Sequence, residues 1–217
     1  MSGVAVKVCG ITEPRGLDAA ISAGARYIGF VFFPPSPRHL NTDAARLLAL
    51  AVPPGVVKVG LFVDAADSEV DQVLERVPLD MLQLHGHETP ERLQELRART
   101  GLPIMKALGL ATKDDLAALD IWSRVADQIL VDARPPADAP LPGGNGLAFD
   151  WRLLEGRRWS LPWMLAGGLT PDNVAEAIAR TRARQVDVSS GVEATPGLKD
   201  AARIRTFLAA ARAACPA

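Results

Sequence analysis

The sequence predicts a (β/α)8 barrel, and three observations carry that expectation. Eight short apolar runs alternate with longer segments of helical spacing. Several runs are apolar at nearly every position, the pattern of a strand covered on both faces in a parallel sheet. Polar or reactive side chains recur where the runs end, and in an eightfold barrel that edge is the rim on which catalytic groups sit. Eight strand-plus-helix units in 217 residues average about 27 residues each, so one compact barrel domain over 1–217 is expected. An open doubly wound sheet is the alternative, but no Gly-x-Gly-x-x-Gly follows the first strand.

The first run, 4–8, ends in Cys9-Gly10, which aims a thiol out of the sheet edge. A helix over 14–23 follows, with Leu17, Ala20 and Ile21 on one stripe. The second run, 27–32, leads into Pro34-Pro35-Ser36-Pro37-Arg38, a loop stiffened by three prolines, and then a helix over Thr42–Ala51 with Thr42 as N-cap. The third, 56–63, ends at Asp64 and precedes a helix over 67–76; the fourth, Met81–Leu84, ends in His85-Gly86 before a helix over 88–99. The fifth, 104–108, stops at Gly109 ahead of a helix over 112–119. The sixth, 128–131, ends in Asp132. The stretch 133–146 is rich in Pro, Gly and Ala and runs on to Phe149-Asp150-Trp151, so a long loop and an abbreviated helix are expected after strand 6. The seventh run, Trp163–Leu165, opens Ala166-Gly167-Gly168-Leu169-Thr170, with a helix over 171–180 capped by Thr170 and started by Pro171. The eighth, Gln185–Val188, gives way to Ser189-Ser190-Gly191 and a last helix over 200–213.

Charge and composition exclude several classes. Lys and Arg number 24 against 25 Asp and Glu, and no basic block occurs, so no nucleic-acid partner is expected. No apolar run is long enough to span a bilayer, and Met1-Ser2-Gly3-Val4 leads straight into the first strand, leaving no room for a signal peptide. Cys9 and Cys215 are the two cysteines and make no disulfide framework; Cys215 stands in the tail without a visible partner. A cytoplasmic protein is the expectation.

In a barrel, phosphate is bound by the loops after strands 7 and 8. Gly167, Gly168 and Gly191 let backbone N–H groups approach an anion, and Ser189 and Ser190 add hydroxyl donors, although each loop alone also reads as an ordinary strand-to-helix turn. Asp132 is displayed at the mouth. Burial among apolar strand ends would raise its pKa and let it hold a proton as an acid, whereas an isolated aspartate there is commonly a cap. Small buried thiols are commonplace in cores, but strand alternation puts Lys7 on the side of Cys9, where its ammonium favours a thiolate. A thiol and a carboxylic acid on opposite sides of one mouth form a base–acid pair. Arg38 suits bidentate capture of a carboxylate, with a plain surface arginine as the alternative. His85 reads as a structural strand-end histidine, His87 as solvated or capping, and His39 has no second ligand at metal spacing, so no metal site is expected.

Together these segments resemble phosphoribosylanthranilate isomerase, the barrel enzyme of tryptophan biosynthesis. The matching stretches are Lys7-Val8-Cys9-Gly10-Ile11-Thr12, Gly29-Phe30-Val31-Phe32, Ser36-Pro37-Arg38, Val59-Gly60-Leu61-Phe62-Val63, Leu82-Gln83-Leu84-His85-Gly86, Val131-Asp132, Phe149-Asp150-Trp151, Ala166-Gly167-Gly168-Leu169 and Asp187-Val188-Ser189-Ser190-Gly191-Val192-Glu193. The resemblance implies an Amadori rearrangement of a phosphosugar substrate, with Asp132 as general acid, Cys9 as general base, and Lys7, Arg38, His85 and Asp187 as substrate-binding residues. Arg38 would hold the anthranilate carboxylate and the last two loops the phosphate. Asp187 would bond sugar hydroxyls or orient the acid. It implies no cofactor, because the aryl amine supplies the electrons, and a monomer or homodimer. One departure is Gly143-Gly144-Asn145-Gly146, where the family usually has Ser or Thr between its glycines; that loop could also act as a lid. A related phosphosugar barrel should carry lysine or a second aspartate in place of Cys9, and a non-catalytic phosphate sensor should have lost the acid or the base.

Overall fold

The computed structural model describes residues 3–134, 141, 143, 144, 146 and 148–214. Eight parallel strands close into a barrel in sequence order: β1 (Ala5–Cys9), β2 (Tyr27–Val31), β3 (Val57–Phe62), β4 (Met81–Leu84), β5 (Ile104–Leu110), β6 (Gln128–Ala133), β7 (Trp163–Leu165) and β8 (Gln185–Val188). The barrel closes where β8 pairs with β1, in a register that sets Lys7 opposite Asp187. Among the described residues, seven α-helices lie between or after the strands: α1 (Pro14–Ser22), α2 (Thr42–Ala51), α3 (Asp67–Leu74), α4 (Pro90–Thr100), α5 (Leu116–Trp122), α6 (Val174–Thr181) and α7 (Ala201–Ala213). Among the described residues, the stretch between β6 and β7 carries a single 3-10 turn, Trp151–Leu154, the abbreviated helix that the sequence predicts.

Strand alternation divides the apolar residues between two sides of the sheet. The large core, including Val6, Val8, Ile28, Phe30, Leu82, Val131 and Phe207, lies between the strands and the helices. Within the barrel the apolar fill is small: Met105, Ala107, Leu130, Met164 and Ala166 form one cluster, and Cys9, Val31 and Leu61 a second. Several other inward positions are polar. Gln128 donates to Gln185 at 3.0 Å, and Lys7 pairs with Asp187 at 3.0 Å. A barrel whose interior is polar toward one end displays charge at that end.

Four local expectations are corrected. Asn41, not Thr42, caps α2, accepting from the Ala44 N–H at 2.8 Å. α4 starts at Pro90 under a Thr89 cap, because Glu88 turns inward instead of joining the helix. Its carboxylate accepts from the Asp64 N–H at 2.9 Å and the Gly86 N–H at 3.0 Å and pairs with Lys106 at 2.6 Å. α6 starts at Val174, three residues beyond Pro171, because the Asn173 amide accepts from the Thr170 N–H at 2.8 Å and donates to the Gly168 carbonyl at 2.9 Å. α5 starts at Leu116 after a 3-10 turn, Lys113–Asp115, whose Asp115 carboxylate accepts from the Ala111 and Thr112 N–H groups at 2.8 and 3.0 Å. An antiparallel hairpin, β9 (Glu193–Thr195) with β10 (Leu198–Lys199), also stands between β8 and α7 where the sequence suggested only loop.

The buried Lys106–Glu88 pair fixes the loop that carries His85, since Lys106 also donates to the Gly86 carbonyl at 2.7 Å. Removing one partner of a buried pair leaves the other charge uncompensated. Lys106→Met is therefore expected to lower the unfolding free energy by about 3 kcal/mol in urea melts. A loss under about 1 kcal/mol would mean that the pair is not what holds this loop.

Candidate active site

The C-terminal rim of the barrel surrounds a cleft of about 820 Å³, counting its open mouth. β1, β4, β6 and β8 bring Cys9, His85, Asp132 and Asp187 to its wall. Loops add Arg38, Gly167, Gly168, Ser189 and Ser190. Two residues singled out from the sequence stand behind the wall. Lys7 is wholly buried beneath it, and Gly191 is packed against the Leu169 carbonyl so closely that a Cβ there would overlap it. Gly143, Gly144 and Gly146 also line the cleft. Asn145, most of the possible lid over 133–146 and Cys215 lie outside the described residues.

Cys9 is the last residue of β1 and is a free, buried thiol. Two glycines make its position possible. Gly29, its register partner on β2, has no Cβ, which would fall 2.9 Å from Sγ. Gly10 adopts φ +75°, and a Cβ there would meet Arg38 Cδ at 2.6 Å, so the turn that ends β1 also makes room for the arginine. Burial pushes the thiol above its ordinary value; the Lys7 ammonium works against this, while Asp187 adds to it. Lys7 does favour the thiolate, as the sequence suggests, but burial outweighs it. Lys7 does face Cys9, but its charge is shared with Asp187. Burial opposes the Lys7 charge, yet Asp187 and then Cys9 outweigh it and raise the ammonium's pKa.

Arg38 is held by the loop after β2. The Leu40 N–H returns to the Val31 carbonyl at 2.9 Å and the Arg38 N–H bonds Ser36 Oγ at 3.2 Å, folding the proline-rich segment back onto its strand. The side chain is 6% exposed, not a surface arginine. Asp132 accepts from the Ala133 N–H at 2.8 Å through Oδ1, while Oδ2 lies 3.4 Å from His85 Nε2. The other ring nitrogen of His85 is 3.0 Å from Gln83 Nε2, so the imidazole stands between an amide and the carboxyl. Gly167 and Gly168 have φ of +84° and +58°, and Asn173 clamps the turn they form. Ser189 donates its hydroxyl to the Cys9 carbonyl at 3.1 Å, so it offers a ligand chiefly its backbone.

Sequence reasoning gave no role to Gln83, Glu193 or Lys199. Gln83 is fully buried, its Oε1 has no hydrogen-bond partner among the described residues, and it lines the cleft. The signal was present: a polar residue inside an otherwise apolar strand needs a partner or a ligand. Among the described residues no cluster of three His, Cys, Asp or Glu side chains is arranged to hold a metal ion.

Comparison with known proteins settles the family. The family model described as N-(5'phosphoribosyl)anthranilate (PRA) isomerase matches residues 6–210. The chain belongs to this family. An N-(5'-phosphoribosyl)anthranilate isomerase of Cereibacter sphaeroides is 62% identical over 212 residues, covering 98% of this chain and all of that one. The phosphoribosyl anthranilate isomerase structure from Thermotoga maritima superposes with a TM-score of 0.86 at 36% identity, covering 97% of this chain and 99% of the other. A family structure in complex with reduced 1-(o-carboxyphenylamino)-1-deoxyribulose 5-phosphate has a TM-score of 0.83 at 35% identity and the same coverage.

The thiol's electrostatics are open to measurement. Only the thiolate alkylates, and a raised pKa delays its appearance as pH rises. Iodoacetamide labelling of the Cys9 peptide, followed by mass spectrometry, should show a midpoint above the ~8.5 of free cysteine. A midpoint below that value would mean that Lys7 outweighs burial.

Proposed function

We propose that this chain converts N-(5'-phosphoribosyl)anthranilate to 1-(2-carboxyphenylamino)-1-deoxyribulose 5-phosphate, a step of tryptophan biosynthesis. The observation that carries the reading is the placement of a thiol and a carboxyl in one cleft, between a buried arginine and two serine- and glycine-bearing turns. Family membership supplies the substrate.

Asp132 donates its proton to the ring oxygen of the sugar. As the C1–O bond breaks, the nitrogen lone pair forms a C=N bond and the ring opens to a protonated Schiff base. Cys9, as thiolate, removes the proton from C2, and that electron pair flows toward nitrogen to give an enolamine. Protonation at C1 and loss of the hydroxyl proton complete the ketone. The amine conjugated to the aryl ring supplies the electrons, so the chemistry calls for no cofactor. A base whose pKa is raised is scarce as thiolate near neutrality, but stronger where it forms.

Arg38 binds the carboxylate of the anthranilate ring through the side of its guanidinium left open toward the cleft. Gly167, Gly168, Ser189 and Ser190 bind the phosphate chiefly through backbone N–H groups, with the Ser190 hydroxyl added, and Gly191, packed behind the wall, lets the Ser189-Ser190 turn sit against Leu169. Asp187 and the free Gln83 oxygen accept from sugar hydroxyls, while His85 orients Asp132. Lys7 acts from behind the wall, pairing with Asp187 and facing Cys9. One domain over 1–217 carries the reaction in the cytoplasm, as a monomer or homodimer. No helix of the described residues is long and apolar enough to cross a membrane, and a Thermotoga maritima relative is described as dimeric.

Fluorescence decay of freshly prepared phosphoribosylanthranilate tests this. Cys9→Ser and Asp132→Asn should each lower kcat by about 100-fold or more, with much smaller changes in KM, because proton transfer acts in the transition state. Near-normal turnover in both variants would remove the acid–base assignment, and an inactive wild type would remove the reading as a whole.

A further inference from the structure

Three buried charged side chains form a connected cluster behind the cleft. Arg38 donates Nε to Glu193 Oε1 at 2.7 Å and Nη2 to Oε2 at 2.9 Å, a two-pronged bond. Lys199 donates to the same Oε1 at 2.7 Å, to the Ser189 carbonyl at 3.0 Å and to Ser189 Oγ at 3.3 Å. Neither Glu193 nor Lys199 reaches the cleft wall, whereas Arg38 and Ser189 both do. The two hidden residues come from the β9–β10 hairpin, which Thr12 ties to the end of β1 by a 2.7 Å bond to the Gly197 carbonyl.

An arginine carries five N–H donors in a rigid plane, and its direction is set by whichever edge is pinned. Glu193 pins the Nε–Nη2 edge, and Nη2 also reaches the Gly144 carbonyl at 3.3 Å, so among the described residues Nη1 is left for a ligand. Burial pushes the Glu193 carboxyl up, but bonds from Arg38 and the charge of Lys199 outweigh it and hold it below its ordinary value. Burial lowers the Lys199 ammonium's pKa, with Glu193 opposing the drop. Two cations around one anion leave a net positive charge, which suits an anionic ligand.

We propose that Glu193 and Lys199 are positioning residues that lock Arg38 and the Ser189 turn at one fixed spacing, so that a ligand carboxylate and a ligand phosphate are gripped together. Given the isomerase reading, these are the anthranilate carboxylate and the sugar phosphate. The hairpin is the strut between the two ends of the substrate.

The test uses the full chain and two one-ended probes, anthranilate and inorganic phosphate, whose inhibition constants are measured beside kcat and KM. Glu193→Gln turns one acceptor into a donor and releases the guanidinium. Anthranilate should weaken about tenfold while phosphate changes by less than about threefold. Lys199→Met removes the link to both ends, so both probes and KM should weaken about tenfold, with kcat within about threefold of wild type. Lower melting temperatures with both probe constants unchanged would assign the cluster to stability alone and overturn the proposal, as would a loss of kcat at constant KM. If Lys199→Met does not fold, the probe split in the near-isosteric Glu193→Gln decides. Failure of the isomerase reading is separately visible, as a wild type that turns over no substrate although the probes still respond to the variants.

Discussion

Lys7 and Asp187 meet across the seam where the eighth strand joins the first, 180 residues apart in the chain and register partners in the sheet. Closing a barrel forces the side chains of its first and last strands to share an interior, and here that interior is charged. An ion pair this deep is sound only if each charge has its partner, so the seam closes in one register. A shift by one residue would turn Lys7 toward the helices and send Val6 or Val8 inward. The same register carries Cys9 to the rim beside Ser189, whose hydroxyl bonds the Cys9 carbonyl, and sets the thiol next to an ammonium already engaged by a carboxylate.

Burial first, and Asp187 second, raise the Cys9 pKa against the pull of the Lys7 ammonium. An ammonium facing a thiol favours the thiolate only with the charge it has left after its other partners, and desolvation acts on the thiol in full. From the sequence, Lys7 two residues before Cys9 reads as an activating charge because Asp187 is invisible at that distance along the chain. The strands themselves were legible, since buried parallel strands write themselves as apolar runs. Helix starts were less so: Asn41, Thr89 and Asn173 each took a capping or bridging role that a neighbour also suited. Glu88 had the pattern of a helix residue and was instead drawn inward by Lys106, a charge 18 residues away. The strand-end residues Asp132 and Asp187 could be placed at the cleft because a barrel delivers every strand end to one rim. Gln83, Glu193 and Lys199 gave weaker signals, because their value lies in partners that only folding brings near.

The site is therefore built in two layers. The inner wall holds groups suited to moving protons and binding anions, with His85 on that wall between Gln83 and Asp132, and the layer behind it holds the charges that aim them: Lys7 behind Asp187 and Cys9, Glu193 and Lys199 behind Arg38 and Ser189. Such support keeps reacting groups within the small tolerances that proton transfer demands.

The proposed division of labour gives ring opening to Asp132 and removal of the C2 proton to Cys9. Single-turnover rates with substrate deuterated at C2 separate the two roles. Weakening the base should make C–H cleavage limiting, so Cys9→Ser should show a primary isotope effect; weakening the acid should make ring opening limiting, so Asp132→Asn should show none. An isotope effect in Asp132→Asn and none in Cys9→Ser would contradict the assignment.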